Sequence, residues 1–335
     1  MNYPNEPRRV LVIQTAFLGD IVLTTTLLRA LKRYSPGTEL ILLTTPVGRS
    51  LLEGQCIVDR ILVYDKKGAD RGPGALLRKI REVRGLRIDT VISPHRSFRS
   101  GTVALFSGAG TRIGYGLPHL LPFYNIRLRR QNAAHEVDRI LLLLEPFGLK
   151  LSEQDRYPFL KTRNSARSKG TIGIAPGSAW GTKQWTEDGY AELIRRLDKN
   201  GYRIVLIGSA ADRVTTGRIK SSAGVRIDDK TGRTDLVELA ELLSGLELLV
   251  TNDNGAMQMA QAVNTPIVAI FGPTVPEQGF APVRPNTLVV ENRGLACRPC
   301  SAHGPMDCPQ GHFLCMKSVT PEAVFKAVET MVHEI

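Results

Sequence analysis

The sequence predicts an α/β protein built from two doubly wound domains that face each other. Three observations carry this. Apolar runs of strand length alternate with amphipathic segments of helix length, the rhythm of a mostly parallel sheet covered on both faces. The rhythm halts at "KTRNSARSKG", residues 161–170, which is polar and nearly free of apolar residues, and then restarts. A chain of 335 residues with 42% apolar content suits two domains with full-sized cores better than one.

The elements follow in order. "RRVLVI" supplies a first strand at 9–14, and "QTAFLGD" leads from it into a helix at 20–34. Further strands are expected at 38–45, 60–64 and 89–93, with helices at 47–53 and 74–85 between them and helical segments at 97–107 and 134–148. These make a domain of residues 1–160. The second domain, 171–320, opens with strand "TIGIAP", then helix 187–199 and strand "YRIVLIGS". Helices near 212–222 and 235–245, strand "LELLVTND", helix 255–263 and strand "PIVAIFGP" complete it. A last helix, 321–333, is expected to pack back on the first domain. In open α/β sheets ligands sit beyond the carboxyl ends of the strands, so the crevice between two such domains is the natural site.

Composition excludes several classes. No run of about 18 uncharged apolar residues spans a membrane. "MNYPNEPRRVLVI" lacks the apolar length and cleavage site of a signal peptide, which makes the cytoplasm the expected compartment. The net charge is +12, and residues 1–160 hold 24 Lys and Arg against 14 Asp and Glu, so the excess lies almost wholly in the first half. That half should attract an anionic partner. Aromatics are only 6%, and no RRM, KH or zinc-finger pattern occurs, which argues against nucleic acid. The first loop lacks G-x-G-x-x-G, the second strand ends in "LLTTP" without a ribose-binding acid, and no P-loop is present, which argues against NAD and against a P-loop nucleotide.

The strand-end loops carry the chemistry. Asp20 reads as a helix N-cap or as a reactive carboxylate. "APGSAWGTKQW", 175–185, offers two glycines with Ser178, Thr182 and Lys183 ahead of a helix, a cradle for a pyrophosphate. "IGSAAD", 207–212, can face a nucleoside. In "TNDNGAMQMAQA", 251–262, Asp253 and Asn254 can bond sugar hydroxyls and Gly255 opens a helix toward an anion. Ordinary βα-turn chemistry favours the same residue types at any one of these loops. Three together favour a nucleotide-diphosphate site.

These motifs, in this order, resemble the bacterial lipopolysaccharide heptosyltransferases of glycosyltransferase family nine. "VLVIQTAFLGDIVLTT" looks like the family's first strand and Gly-Asp loop, and "HRSFRSGTVALFSGAGTRIGY", 95–115, like its basic acceptor segment. "APGSAWGTKQW" is similar to its pyrophosphate loop, and "TNDNGAMQ" to its Asp-[Ser/Thr]-Gly-x-x-His motif. "CRPCSAHGPMDCPQGHFLCM", 297–316, is similar to the cysteine-bearing tail of the second-heptose enzymes.

The resemblance implies a GT-B fold of two Rossmann-like domains and inverting transfer of L-glycero-D-manno-heptose from ADP-heptose. The acceptor is the lipid A–Kdo inner core, presented at the cytoplasmic face of the inner membrane. It implies Asp20 as catalytic base. It also implies donor contacts from Ser178, Thr182, Lys183, Asp212, Thr234, Asp253, Asn254, Gly255, Met257 and Gln258. Gln258 stands where the family usually has His, and Asn254 where Ser or Thr is common; similar geometry with a weaker phosphate contact is expected. Lys66, Arg96 and Arg99, with Lys67, are expected to meet the anionic acceptor, because they follow strand ends in the basic half. Lysine and helix N–H groups at the leaving diphosphate make a metal unnecessary for departure, although Mg²⁺ can assist.

Cys297, Cys300, Cys308 and Cys315 have the spacing of a structural zinc site, with reduced loop-stabilising thiols as the rival. Cys56 is expected to be a lone half-buried thiol. The alternative enzyme class is a GT-B transferase or epimerase using another nucleotide sugar.

Overall fold

The computed structural model describes residues 7–163 and 166–334; residues 164–165 of the expected linker lie outside them. The chain divides into two compact units, 1–160 and 161–335.

The first unit runs β1 (Arg9–Gln14), α1 (Leu18–Tyr34), β2 (Glu39–Thr44), α2 (Pro46–Leu52), β3 (Arg60–Val63), α3 (Pro73–Gly85), β4 (Thr90–Ile92), α4 (Phe98–Phe106), β5 (Thr111–Tyr115), β6 (Ile126–Leu128) and α5 (Glu136–Leu142). All neighbouring strands pair in parallel, in the order β3-β2-β1-β4-β5-β6. Val10, Leu11, Val12 and Ile13 are fully buried, as a central parallel strand covered on both faces requires. Helix α1 buries Thr24, Thr25 and Thr26, a poor helix-forming run. Each hydroxyl is satisfied by back-bonding to a carbonyl one turn earlier, Thr24 to Asp20 (2.7 Å), Thr25 to Val22 (2.6 Å) and Thr26 to Leu23 (2.7 Å). Thr25 Oγ1 also accepts from the Phe159 N–H at 2.9 Å, which pins the end of the unit to α1.

The second unit runs β7 (Ser168–Ala175), α6 (Glu187–Lys199), β8 (Arg203–Leu206), α7 (Arg213–Ala223), β9 (Asp228–Asp229), α8 (Leu236–Ser244), β10 (Leu246–Asn252), α9 (Gly255–Ala262), β11 (Ile267–Phe271), β12 (Thr287–Glu291), α10 (Leu314–Lys317) and α11 (Pro321–Glu334). Its parallel order, β12-β11-β10-β7-β8-β9, is that of the first unit read from the other edge. Both sheets are therefore Rossmann-like, and each reverses direction at one place: between β1 and β4, and between β7 and β10.

Two sequence expectations change. Helix α11 belongs to the second unit: Val324, Phe325, Val328 and Met331 enter the core made by Ile174, Val250, Val268 and helix α6, and that apolar stripe is used there. The helical segment expected at 134–148 is shorter, because α5 stops at Leu142 and a 3₁₀ turn ends at Gly148 with φ 64°. Among the described residues no helix is long and apolar enough to cross a membrane.

Phe325→Ala should lower the stability of the second unit by about 3–5 kcal/mol. Chemical denaturation followed by a Trp signal reads this directly, since Trp180 and Trp185 both lie in that unit. An unshifted Trp transition would contradict the placement of α11.

Candidate active-site residues in the two units

In the first unit the switch point lies between the loops that follow β1 and β4, and both carry polar side chains. Gln14, buried at the end of β1, donates to Thr24 Oγ1 (2.9 Å) and accepts from the Ala16 N–H (3.3 Å), fixing the path into α1. Asp20 is the third residue of that helix. It is not the N-cap: Phe17 holds that position and offers no capping side chain. Among the described residues no side chain pairs with the Asp20 carboxylate. Burial, and then the nearby Glu136 carboxylate, raise its pKa from 3.8 to about 6, against the opposing effects of the Phe17 and Asp20 N–H groups and of Arg96. Glu136 is itself buried between two guanidinium groups, Arg130 and Arg139, each at 2.7 Å.

Across the switch point His95 Nδ1 lies 3.0 Å from Thr15 Oγ1 and 2.8 Å from Ser100 Oγ. Burial, then Lys66 and Arg96, depress His95 to about 4, so the ring is neutral at physiological pH. Lys66 Nζ donates to the same Thr15 hydroxyl at 3.4 Å, and Arg99 Nη1 donates to the Lys66 carbonyl at 3.4 Å. Burial, with Lys67 and Arg99 nearby, lowers the Lys66 pKa. The structure thus gathers Lys66, Arg96 and Arg99 around one loop cluster. Sequence reasoning missed Thr15, His95 and Glu136. The Thr15–His95 pair had no local signal, being 80 positions apart.

In the second unit the switch point lies between the loops after β7 and β10, and a buried ion pair spans it. Lys183 Nζ is 2.6 Å from Asp253 Oδ2, and Thr274 Oγ1 donates to that same oxygen at 2.9 Å. Both charged side chains are about nine-tenths buried. Asp212 accepts from the Ser209 N–H and hydroxyl at 2.7 Å, and its carboxylate lies where a Cβ on Gly177 would be, at 2.3 Å from Oδ1. Only glycine fits there, so the loops after β7 and β8 meet at this contact. Thr234 is half-buried just before the α8 cap, Asp235. Ser178 Oγ accepts from the Trp180 N–H at 3.3 Å, and Gly255 opens α9.

Several expected donor contacts are otherwise engaged. Asn254 is the N-cap of α9: its Oδ1 accepts from Met257 N (2.9 Å) and its Nδ2 donates to Gly177 O (2.7 Å), so its amide joins two loops. Gln258 is buried, donates to Phe280 O at 2.8 Å and accepts from Gln261. The Met257 side chain is fully buried in the core. Thr182 is buried and gives its hydroxyl to the Pro305 carbonyl, which seats the 300–306 segment on the loop bearing Lys183. At Gly181 a Cβ would lie 2.5 Å from Met306 O, and His303 stacks on Trp180 at 6.2 Å.

A model of glycosyltransferase family 9 (heptosyltransferase) matches residues 76–307. The chain belongs to glycosyltransferase family 9. Lipopolysaccharide heptosyltransferase 2 of Escherichia coli is 26% identical, with 96% of this chain and 98% of that protein covered. The crystal structure of a family 9 glycosyl transferase from Veillonella parvula matches with a TM-score of 0.82 at 22% identity over 98% of each chain. The E. coli ADP-heptose LPS heptosyltransferase II structure matches with a TM-score of 0.78 at 24% identity, over 97% of this chain and 99% of that one. At these identities the structural likeness speaks for the fold, a GT-B architecture.

Four of the five cysteines of this glycosyltransferase fall between residues 297 and 315. Among the described residues no group of three or more His, Cys, Asp or Glu is arranged to hold a metal ion. The four thiols nevertheless lie near one another: after burial, Cys297 and Cys308 raise the Cys300 pKa, and Cys300, Cys308 and Cys297 raise that of Cys315. Cys300 Sγ donates to Cys297 O (3.3 Å), Cys308 Sγ accepts from the Phe313 N–H (3.4 Å), and Cys315 is buried in the core. Burial alone would raise Cys308, but the N–H groups of residues 310–313 outweigh it and lower its pKa. Cys56 is exposed, not half-buried.

Asp20→Asn should reduce turnover by roughly 10²–10⁴ while circular dichroism stays native, because the Asn amide oxygen can still accept from the Phe17 N–H. In the unaltered enzyme kcat/KM should fall as pH drops below about 6, where Asp20 takes up its proton. The stability sign is opposite: the protonated form is preferred in the fold, so stability is lost as pH rises from about 4 through about 6. Thr274→Val should raise the donor KM severalfold by loosening Asp253, and steady-state kinetics with varied donor reads this.

Proposed function

We propose that this family 9 enzyme transfers L-glycero-D-manno-heptose from ADP-heptose to the lipid A–Kdo inner core of lipopolysaccharide, as the second heptose, with inversion at the anomeric carbon. The observation that carries the reading is the placement of chemistry at both switch points. An ionisable carboxylate without a side-chain partner stands in one unit, and a buried Lys–Asp pair in the other. The names of the high-coverage relatives, lipopolysaccharide heptosyltransferases 2, support the substrate pair.

Inverting transfer is a single displacement. The acceptor hydroxyl attacks the anomeric carbon, Asp20 takes its proton, and the C–O bond to the diphosphate breaks with ADP leaving. A carboxylate with a pKa near 6 is ionised at neutral pH yet basic enough to take up the proton late in the attack. The negative charge that grows on ADP is met by Lys183, held in place by Asp253, and by the first N–H groups of α9, which have no partner within the helix. These groups supply the stabilisation for departure, with Mg²⁺ an accessory and any zinc confined to a structural role at Cys297, Cys300, Cys308 and Cys315. The cations around Thr15 suit an acceptor bearing carboxylates or phosphates, reached from the cytoplasmic face of the inner membrane by a peripheral enzyme.

One observation favours a second reading. Asn254 and Gln258 each bond to the protein itself, and Gln258 stands where the family usually has His, so a GT-B transferase or epimerase using another nucleotide sugar is the alternative.

The test is ADP release from ADP-heptose with two acceptors in parallel, one without heptose and one with a single heptose. Turnover on the mono-heptosylated acceptor alone supports the proposal. Turnover on the heptose-free acceptor alone makes it a first-heptose enzyme. No ADP from either moves the search to other donor sugars.

A further inference from the structure

Thr15 and His95 leave neighbouring strands in step. β1 and β4 pair Val12 with Ile92, and three residues beyond that pair Thr15 Oγ1 lies 3.0 Å from His95 Nδ1. Two more hydroxyls reach the same nitrogen, Ser100 Oγ at 2.8 Å and Ser97 Oγ at 3.2 Å. Ser97 is the N-cap of α4: it accepts from the Ser100 N–H at 3.2 Å and gives its own proton to Ser100 Oγ at 3.0 Å. Lys66 Nζ donates to Thr15 Oγ1 at 3.4 Å.

The protons of this cluster fix the state of the ring. Lys66 and Ser97 donate into it, and the Thr15 and Ser100 hydroxyl protons have no acceptor within it but the lone pair of Nδ1. A hydrogen on Nδ1 would add one more donor and leave both hydroxyl protons without a place. The network therefore assigns the ring proton to Nε2. Burial, then Lys66 and Arg96, keep a second proton off. Among the described residues Nε2 has no protein partner, and on this half-buried ring it is open to solvent. The bonds at one imidazole nitrogen settle what the other presents, here an unused N–H of fixed direction.

That N–H stands at the reversal of strand order in the first unit, the place where Asp20 lies in the first turn of α1. Arg96, the next residue, is near enough to Asp20 to act on its charge. His95 differs from the cations around it in being an uncharged donor that cannot turn. A charge attracts an anion from many directions, whereas a neutral N–H held in one direction selects an oxygen by where that oxygen sits.

We propose that His95 positions the acceptor sugar: its Nε2–H donates to the oxygen of a hydroxyl beside the attacking one, which turns the attacking O–H toward Asp20. Thr15 and Ser100 act through His95 by holding its ring. The proposal rests on the reading of the acceptor as a core saccharide and of Asp20 as the base, and it adds a group that neither reading contains.

The test uses the full-length protein and two delipidated, water-soluble core saccharides, one without heptose and one with a single heptose. With whichever the wild type turns over, His95→Ala should raise the acceptor KM roughly five- to tenfold and leave the donor KM unchanged. His95→Gln should recover most of that loss, because its amide reaches the place of the ring Nε2. His95→Asn should not, because its amide ends at the place of Nδ1. A ring that only tied the two loops together would give the reverse order, with Asn rescuing and Gln failing. Nitrogen-15 NMR of histidine-labelled wild type, with the His95 signals identified by their loss in His95→Gln, should show the Nε2–H tautomer. Adding the saccharide should shift that nitrogen, and adding ADP alone should not. An Nδ1–H tautomer, a bound saccharide that leaves Nε2 unmoved, rescue by Asn in preference to Gln, or an equal rise in both KM values would overturn the proposal and leave the transferase reading standing. Wild type that binds neither saccharide would overturn the acceptor reading and this contact with it.

Discussion

A parallel sheet sheathed by helices on both faces can present chemistry only where its strands end. Both sheets here are of that kind, and their central strands are almost wholly apolar. The sharpest consequence falls at the reversal of strand order, where two neighbouring loops turn away from each other and leave room for a ligand. Asp20 and His95 flank that place in one unit, and Lys183 and Asp253 flank it in the other. Nothing else in the site is independent of this constraint. Gln14 aims the first loop, Gly177 lets two loops close on Asp212, and Asn254 ties α9 to the loop after β7.

The two units treat buried charge in opposite ways. In the second, Lys183 and Asp253 neutralise each other, with Thr274 satisfying a further lone pair, so neither charge is left alone in a dry setting. In the first, Asp20 receives no side-chain partner and lies within reach of the like charge of Glu136. The Arg130 and Arg139 guanidinium groups each pair with Glu136 at 2.7 Å, which fixes its carboxylate in the place from which it acts on Asp20. A paired carboxylate stabilises a fold, and one held against a like charge is poised to accept a proton.

Much of this was legible in the chain. The central strands, the restart after residue 160 and the loops bearing Asp20, Lys183 and Asp253 follow from apolar runs and turn chemistry. The strands that were not foreseen, β5, β6, β9 and β12, lie toward or at sheet edges. β9 has only two residues, both Asp, and β12 is half-buried along its whole length, so neither carries a strong period. Local reasoning also could not see the protein partners of polar residues that are distant in sequence. Thr182 answers to Pro305, Asn254 to Gly177 and Gln258 to Phe280, and no window around any of them contains its partner. The cysteine spacing does bring the four thiols near one another, while the backbone donation to Cys308 and the burial of Cys315 were not legible in it.

The seating of the 300–306 segment on the loop of Lys183 bears on how the protein is made. The first unit closes with contacts from residues 155 and 159 to α1, so it can complete its own fold once about half of the chain has left the ribosome. The second unit has no such early point. The carbonyl that holds Thr182 comes 123 residues later, and the apolar stripe that finishes the core runs to Met331. The donor-side loop is thus among the last parts of the molecule to be assembled. A chain released before residue 305 lacks the carbonyl that seats this loop, even though it already contains every residue of the first unit.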